Sequence, residues 1–499
     1  MVKKLLALAL LIVLAGCASP ASNGAEPVNS PSSQSGNAAA PAEKYTVSIV
    51  FPGDATTDAT NRVAEKATAL IGEKLGVSIS LIRIGYGSFQ QEVNLMLSSG
   101  EKLDLMPNFT FNVSSAANSG QILPLADLLA VNGKEMLEQI PEGDWECATV
   151  NGVIYAVPNN KEKAMGFGIA MVKSVLDSTG VDLSKVKSES DLTELFRKVK
   201  ELYPDMYPLV SDNGEMGYLL YARDELGGDY GMLLDQAFSG GEAKVVNWLE
   251  SEPYRKLIEQ RYEWAQEGII LPDASTNTEN AYSLMAAGRG FSYFTNTKPG
   301  IEGEWERKSG VPMTVYEVVP PFSTTSGVAN QWFIAHNSIQ PAKAMQVLNE
   351  MYINSELEDT FVNGLEGEHF IYDKANGVID YPEGVDASNT TYSSVAWAWL
   401  NELITTPWAS DGKDIWTETV AFNKSARNSL AKGFMWDNFN VLNEIAACNN
   451  VKAKYQMALE CGMLDPDEAL PKYLQELKDA GVDAIIAEKQ KQLDAWLAE

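Results

Sequence analysis

A chain of 499 residues with 67 acidic and 38 basic side chains carries a formal net charge of −29. So acidic a body is a poor binder of nucleic acid or anionic lipid headgroups through charge, and neither partner is expected; the excess of carboxylates reads as solubility. The two histidines and four cysteines show no zinc spacing, so no metal or other cofactor is expected.

Lys3 and Lys4 precede an apolar run of ten residues, Leu5 to Leu14. A span of the bilayer takes about 20, so this run fits a signal segment. Leu14-Ala15-Gly16-Cys17 then matches a lipobox at each position. Residues 1–16 are therefore read as a lipoprotein signal peptide, and Cys17 as the lipidated first residue of the mature chain. Acyl chains such as palmitate would hold the protein on the extracytoplasmic face of the cell membrane, and stable anchoring takes more than one. The alternative is an ordinary signal peptide in which Cys17 is incidental. The rest of 17–43 is rich in Ala, Ser, Pro, Asn and Gly, cannot bury enough apolar surface to offset chain entropy, and reads as a disordered linker.

The chain beyond the linker exceeds the ~250–300 residues of a single hydrophobic core, so two or more lobes are expected. Residues 44–51 read as a first strand ended by Pro52-Gly53-Asp54. Asp58 is expected to cap a helix to Leu75, with Gly76 as its stop. Val77 to Ile84 is a second strand, Phe89 to Ser98 a helix and Asp104 to Met106 a third strand. This order is that of a parallel sheet wound with helices, whose ligands sit beyond the strands' carboxyl ends, near Pro52 to Asp54, Tyr86 to Ser88 and Asn108 to Thr110.

Leu125 to Leu129 reads as a short helix, and Asn151-Gly152 as a tight turn into a hairpin strand, Val153 to Val157. Ile169 to Ser178 reads as helical, as does a stretch from Ser190 to Leu202 with a partial capping box of Ser190 and Thr193. Later expectations are a strand at Leu209-Val210, helices at Tyr254–Glu267 and Ala281–Ala287, and strands at Gly290–Phe294, Met313–Val319 and Gln331–Ala335. Pro341 suits the first turn of a helix to Tyr352. Asn376-Gly377 marks a hairpin, and the chain beyond Ser393 reads as helical to Trp496. Asn443 to Met463 as one helix keeps Cys448 and Cys461 ~19 Å apart, too far for a disulfide unless the Asn449-Asn450 pair breaks it.

Several stretches together resemble the extracellular solute-binding lipoproteins of ABC importers, the LipO-like, carbohydrate-type group. They are Leu97-Ser98-Ser99-Gly100 through Asp104-Leu105, and Asn151 through Pro158. To these add Gly364 to His369, Phe422-Asn423, Gly433-Phe434, Leu477 to Asp483 and Glu488 to Trp496. The resemblance covers nearly the whole mature chain. It implies a two-lobed α/β fold, like periplasmic binding proteins, with interleaved lobes, a hinge cleft and a helical C-terminal region. Residues 44–155 plus 330–395 would form one lobe and 156–329 plus 396–499 the other. It also implies a monomer that hands a small-molecule solute to ABC permease subunits and touches the membrane through its lipid anchor only.

Aromatic rings stack on the C–H faces of sugars, while amides and carboxylates meet the hydroxyls. The chain has eleven tryptophans, with Trp397, Trp399, Trp408 and Trp416 close in sequence. The i, i+2 spacing of Trp397 and Trp399 assigns one of them to the core. Candidate aromatic ligand residues are Tyr86, Tyr293, Phe294, Trp332, Trp397 and Trp399. Candidate polar ones are Asp54, Asn108, Asn160, Asn213, Asn296 and Asn401, all of which could equally serve turns or caps. The reading is capture of an oligosaccharide without bond cleavage, so no catalytic residue is assigned. The alternatives are a peptide or other small polar solute, and, as a separate class, a secreted glycoside hydrolase.

Overall fold

The strand Tyr45–Ala55 organises the first half of the molecule. The computed structural model describes residues 44–109, 111–228, 230–325, 330–394 and 396–498; the lipobox, Cys17 and the linker lie outside the described residues. From Val47 to Gly53 this strand is buried without alternation, because elements cover both faces of its sheet. It continues through Pro52 and Gly53, since Gly53 to Ala55 pair antiparallel with Tyr392–Ser394. Val77–Ile84 pairs in parallel along it, and Leu105–Pro107 in parallel on its other side. Gln331–Ile334 and then Val157–Pro158 complete this six-stranded sheet in antiparallel sense.

The helix Thr57–Leu75 is capped by Thr56, not Asp58: the Thr56 side chain accepts from the backbone N–H of Ala59. It buries Ala59, Val63, Ala67 and Ile71 on one face and ends where Gly76 turns left-handed at φ 66°. Phe89–Ser99 and Pro341–Ile353 fall within a residue of their expected ends.

A second, five-stranded sheet runs in the order Arg427–Asn428, Met313–Ser323, Met165–Val172, Gly290–Thr297 and Tyr207–Leu209. Its central strand corrects the expected helix at Ile169–Ser178: residues to Val172 are extended, and only Lys173–Thr179 is helical. A short apolar run buried on both faces has no periodicity to tell helix from strand. Gly168 permits the packing, because a Cβ there would run into the carbonyl of Tyr316 on the neighbouring strand. The capping box also shifts, to Ser188 with Asp191.

Beyond Ser393 the chain is not continuously helical. Short turns at Ala396–Ala398 and Glu402–Ile404 precede the helices Ile415–Ser425, Leu442–Glu460, Pro466–Asp479 and Val482–Leu497. Leu442–Glu460 and Pro466–Asp479 pack on Glu252–Gln266, and Val482–Leu497 packs on those two. Cys448 and Cys461 are both free and buried. Among the described residues, no helix is long and apolar enough to cross a membrane.

Each sheet carries its own core. The first centres on Trp332, Trp399 and Phe361, with Trp399 stacked between the other two at centroid distances of 5.5 and 4.9 Å. Trp399 and Leu400 thus belong to the first core, although the sequence places residues after 395 in the other lobe; the indole is the filling between two rings of the first sheet's layer. The second core gathers Ile169, Phe291, Phe294, Trp264 and Trp305. A third cluster, under the C-terminal helices, includes Tyr254, Leu470, Tyr473 and Ile485. The chain crosses between the two sheets after Pro158, again before Asn330 and a third time after Leu400. Asn160 and Asn401 meet there, amide to amide at 3.0 Å.

Candidate functional site

The carboxyl ends of the first sheet's strands carry a row of rings. Tyr86, after Val77–Ile84, sets its ring 5.9 Å from Phe109, which follows Leu105–Pro107 and is backed by Phe89 at 5.4 Å. Phe109 in turn lies 5.6 Å from Trp397. The turn bearing Trp397 is pinned from both other crossings: its carbonyl accepts from Nδ2 of Asn159 at 3.2 Å and of Asn330 at 3.0 Å. The indole stays partly exposed, and the ammonium of Lys161 stands 6.0 Å over it.

Tyr218, 39% exposed, stacks at 4.7 Å on Phe167 of the second sheet's central strand and lines a separate recess with Tyr230 and Trp248. Its backbone carbonyl accepts from the guanidinium of the buried Arg261 at 3.1 Å, which also pairs with Glu189 at 2.6 Å. Burial pushes the Tyr218 phenol up, so it is a neutral donor at physiological pH.

Next to Trp397 opens a compartment of about 220 Å³ whose wall combines three half-exposed tryptophans, Trp397, Trp408 and Trp416, with a ladder of opposed charges. Glu162 lies 2.8 Å from Lys161 and 3.7 Å from Lys298. Lys298 is also 3.7 Å from Glu304, which bonds Lys308 at 2.6 Å. Arg307 pairs with Asp411 at 2.7 Å and lies 5.0 Å from the Trp408 ring, itself 4.7 Å from Tyr381. Trp416 is oriented by its indole N–H, which donates to the carbonyl of Thr405 at 2.6 Å.

Burial alone would raise the Glu162 carboxyl, but Lys298 and Lys161 outweigh it and hold it low, at about 2. Glu304 is likewise brought to about 2 against burial by Lys298 and Lys308. Burial would discharge Lys298, but Glu162 and Glu304 keep it firmly protonated. Glu402 lacks such a cation at close range. Burial and its hydrogen-bonded neighbour Glu162 push it up to about 7. The compartment therefore presents flat apolar faces edged with fixed donors and acceptors, which suits a ligand with C–H faces and hydroxyl edges.

Of the twelve residues expected from sequence, Trp397 lies in this compartment, and Tyr86 and Asn108 lie along its extension. Asn108 holds the edge of Gln331–Ile334, its Oδ1 accepting from the Gln331 N–H at 3.0 Å. Asp54 is at the strand end opposite Ser393. Asn296 is half-buried within Gly290–Thr297, two residues before Lys298.

The others lie elsewhere in the structure. Phe294, Trp332, Trp399 and Asn401 are buried in the body of the protein. Phe294 lies beneath the Arg261 guanidinium, and Trp332 donates its indole N–H to the carbonyl of Ala398. Asn401 bonds Glu358 and the carbonyl of Tyr352, and Asn160 bonds Asn401. Tyr293 packs on Trp305, and Asn213 is a turn residue at φ 48°. Sequence reasoning did not find Glu162, Lys298, Glu304, Arg307 or Lys308. Trp408 and Trp416 were visible only as members of the tryptophan group. The charged residues read as ordinary solvated surface, and only the strand end before Lys298 pointed to the site.

Known proteins place this arrangement in context. Residues 53–354 match the model of the bacterial extracellular solute-binding proteins, and residues 430–498 match DUF3502, a domain of unknown function. A carbohydrate ABC transporter substrate-binding protein of Streptococcus pneumoniae serotype 4 is 26% identical over 457 residues, covering 88% of this chain and 89% of the relative. The crystal structure of the N-glycan transport solute binding protein NgtS from S. pneumoniae superposes with a TM-score of 0.79 at 22% identity, covering 91% of this chain and all of that one. NgtS in complex with Man5GlcNAc gives 0.73 at 23% identity, covering 91% of this chain and 99% of that one. The two-sheet α/β architecture with its helical C-terminal region is thus that of a two-lobed solute-binding protein.

Proposed function

We propose, from the premise that the chain belongs to the bacterial extracellular solute-binding protein family, that it captures an oligosaccharide for an ABC importer. The observation that carries this reading is the cleft wall. Trp397, Trp408 and Trp416 offer stacking faces beside fixed carboxylates and ammonium groups. The related S. pneumoniae protein bears the name of a carbohydrate binder, and NgtS has been crystallised with Man1GlcNAc and Man5GlcNAc.

In this reading the lobes are 44–158 with 330 to about 405, and 159–329 with the remainder. The first boundary differs little from the expected 155. The second moves because Trp399 and Leu400 pack with the first core. Three crossings allow the lobes to rotate as rigid bodies, and sugar binding stabilises the closed form that permease subunits recognise. The protein acts as a monomer, held at the extracytoplasmic face of the cell membrane through acyl chains on Cys17.

The carboxyl pair that most resembles an acid and a base supports binding without hydrolysis. Glu402, at about 7, and Glu162, at about 2, have the separated acidities of an acid and a base. They are hydrogen-bonded to each other, whereas a retaining glycosidase holds its two carboxyls ~5 Å apart across the scissile bond. Isothermal titration calorimetry against a panel of neutral mono- and oligosaccharides tests the assignment. Saturable heat with at least one oligosaccharide is expected, and no heat across the panel would refute it. Release of reducing sugar would instead make the protein a hydrolase.

A further inference from the structure

We propose that the cavity between Phe109 and the Phe434–Asn438 segment is a second subsite of the cleft, taking an uncharged sugar unit that donates a hydrogen bond to Gln331. This rests on the saccharide-binding reading above. The cavity measures about 450 Å³ and meets the ion-paired compartment at the Phe109–Trp397 contact. Both lobes wall it: Phe109, Phe111 and Asn112 from one, Phe434, Met435 and Trp436 from the other.

The two compartments differ in kind. Seven charged side chains line the first, and every described residue lining the second is uncharged. A carboxylated sugar here would lose its water with no cation on the described wall to replace it, which is costly. An uncharged ring loses little and gains aromatic contact.

Gln331 supplies the specific feature. It is 5% exposed, and its Nε2 donates to the carbonyl of Cys147 at 2.9 Å. That bond fixes the amide orientation, because the flipped side chain would set oxygen against oxygen. Oε1 is left as an acceptor and, among the described residues, has no partner. An unmade buried acceptor is a net cost to the fold. A hydroxyl or amide N–H of a bound sugar would remove that cost as the lobes adjust around it.

The edge of this subsite is closed by hydrogen bonds between the lobes. Asn112 Nδ2 donates to the Trp436 carbonyl at 3.2 Å, Ser115 Oγ to Asn438 Oδ1 at 2.7 Å, and Asn118 Nδ2 to Asp437 Oδ2 at 2.8 Å. A unit held here is therefore enclosed only in the closed form.

The test is calorimetric titration of the full chain with a length series of neutral oligosaccharides, comparing wild type, Gln331→Met and Met435→Trp. The first variant removes the acceptor; the second fills the space from a half-buried position. Both are expected to bind the shortest saccharide that wild type holds with unchanged affinity, and the longer members about tenfold more weakly. Unchanged affinity along the whole series in variants that keep the wild-type melting temperature would overturn the subsite, as would equal losses for short and long members. Should Gln331→Met melt early, Met435→Trp carries the comparison, since it removes no side-chain hydrogen bond. A wild type that binds no saccharide would overturn the functional reading itself, a result distinct from any of these.

Discussion

The two lobes each hold a partly exposed aromatic ring, by different physical means. Trp397 is held by two neutral amide-to-carbonyl bonds, above a core of stacked rings. Tyr218 is held by a buried guanidinium whose charge is met by Glu189. Neutral bonds and ring stacking tolerate the loss of one partner. A buried ion pair does not, because removing one member strands the other charge away from water. The first lobe should therefore respond to substitution in small steps, and the second abruptly.

The largest effect expected of that contrast is at Arg261. Arg261→Met should destabilise the protein by ~3–5 kcal/mol in denaturant unfolding, because Glu189 is left buried and unpaired. Adding Glu189→Leu should restore most of the loss. A double variant no better than the single would mean that the guanidinium acts through its carbonyl contacts, to Tyr218 and Glu460, rather than through its charge.

The first lobe also has a deeply buried carboxyl, Glu358, without an ion-pair partner among the described residues. Burial pushes Glu358 up to about 8 from an ordinary 4.5. The folded chain thus keeps a proton that the unfolded chain has lost between those values. The contribution is complete below about 4.5 and is lost as pH rises through about 8. Melting temperature should accordingly fall across that window, and Glu402 acts in the same direction at about 7. Glu358→Gln should flatten the profile and be the more stable form at pH 9, by ~2–4 kcal/mol. Parallel profiles for the two proteins would show that Glu358 ionises without penalty.

The smallest effects are expected at the clasp between the lobes. Ser115→Ala and Asn118→Ala each remove one hydrogen bond, worth ~0.5–1.5 kcal/mol, from the closed form alone. Sugar release, followed by stopped-flow tryptophan fluorescence, should quicken severalfold with little change in melting temperature. An unaltered release rate would mean that the lobes part before this edge matters.

The contrast between neutral and ionic scaffolding also explains what the sequence disclosed. The first lobe was largely legible: β-branched runs at 45–51 and 77–84, a capped helix between them and glycine stops gave its strands and helices to within a few residues. Met165–Val172 was not, because a strand buried on both faces has no alternation. At the site, the spacing of Trp397 and Trp399 said that one ring is core but not which one. That choice is made by Phe361 and Trp332, distant in sequence. The ladder from Glu162 through Lys298 to Lys308 was hidden altogether. Three segments contribute to it, and each looks by itself like solvated surface.

The most direct test of the account is titration of Trp397→Ala with the oligosaccharide that wild type binds most tightly. Trp397 is partly exposed, lies outside the Trp332 stack and meets the ladder through Lys161, 6.0 Å over its ring and still paired with Glu162, so the variant should fold with little loss of stability. The account expects affinity to fall about tenfold to a hundredfold, as for the loss of a central aromatic contact. Undiminished affinity in the folded variant would contradict it, and would move the sugar away from the cleft between the lobes.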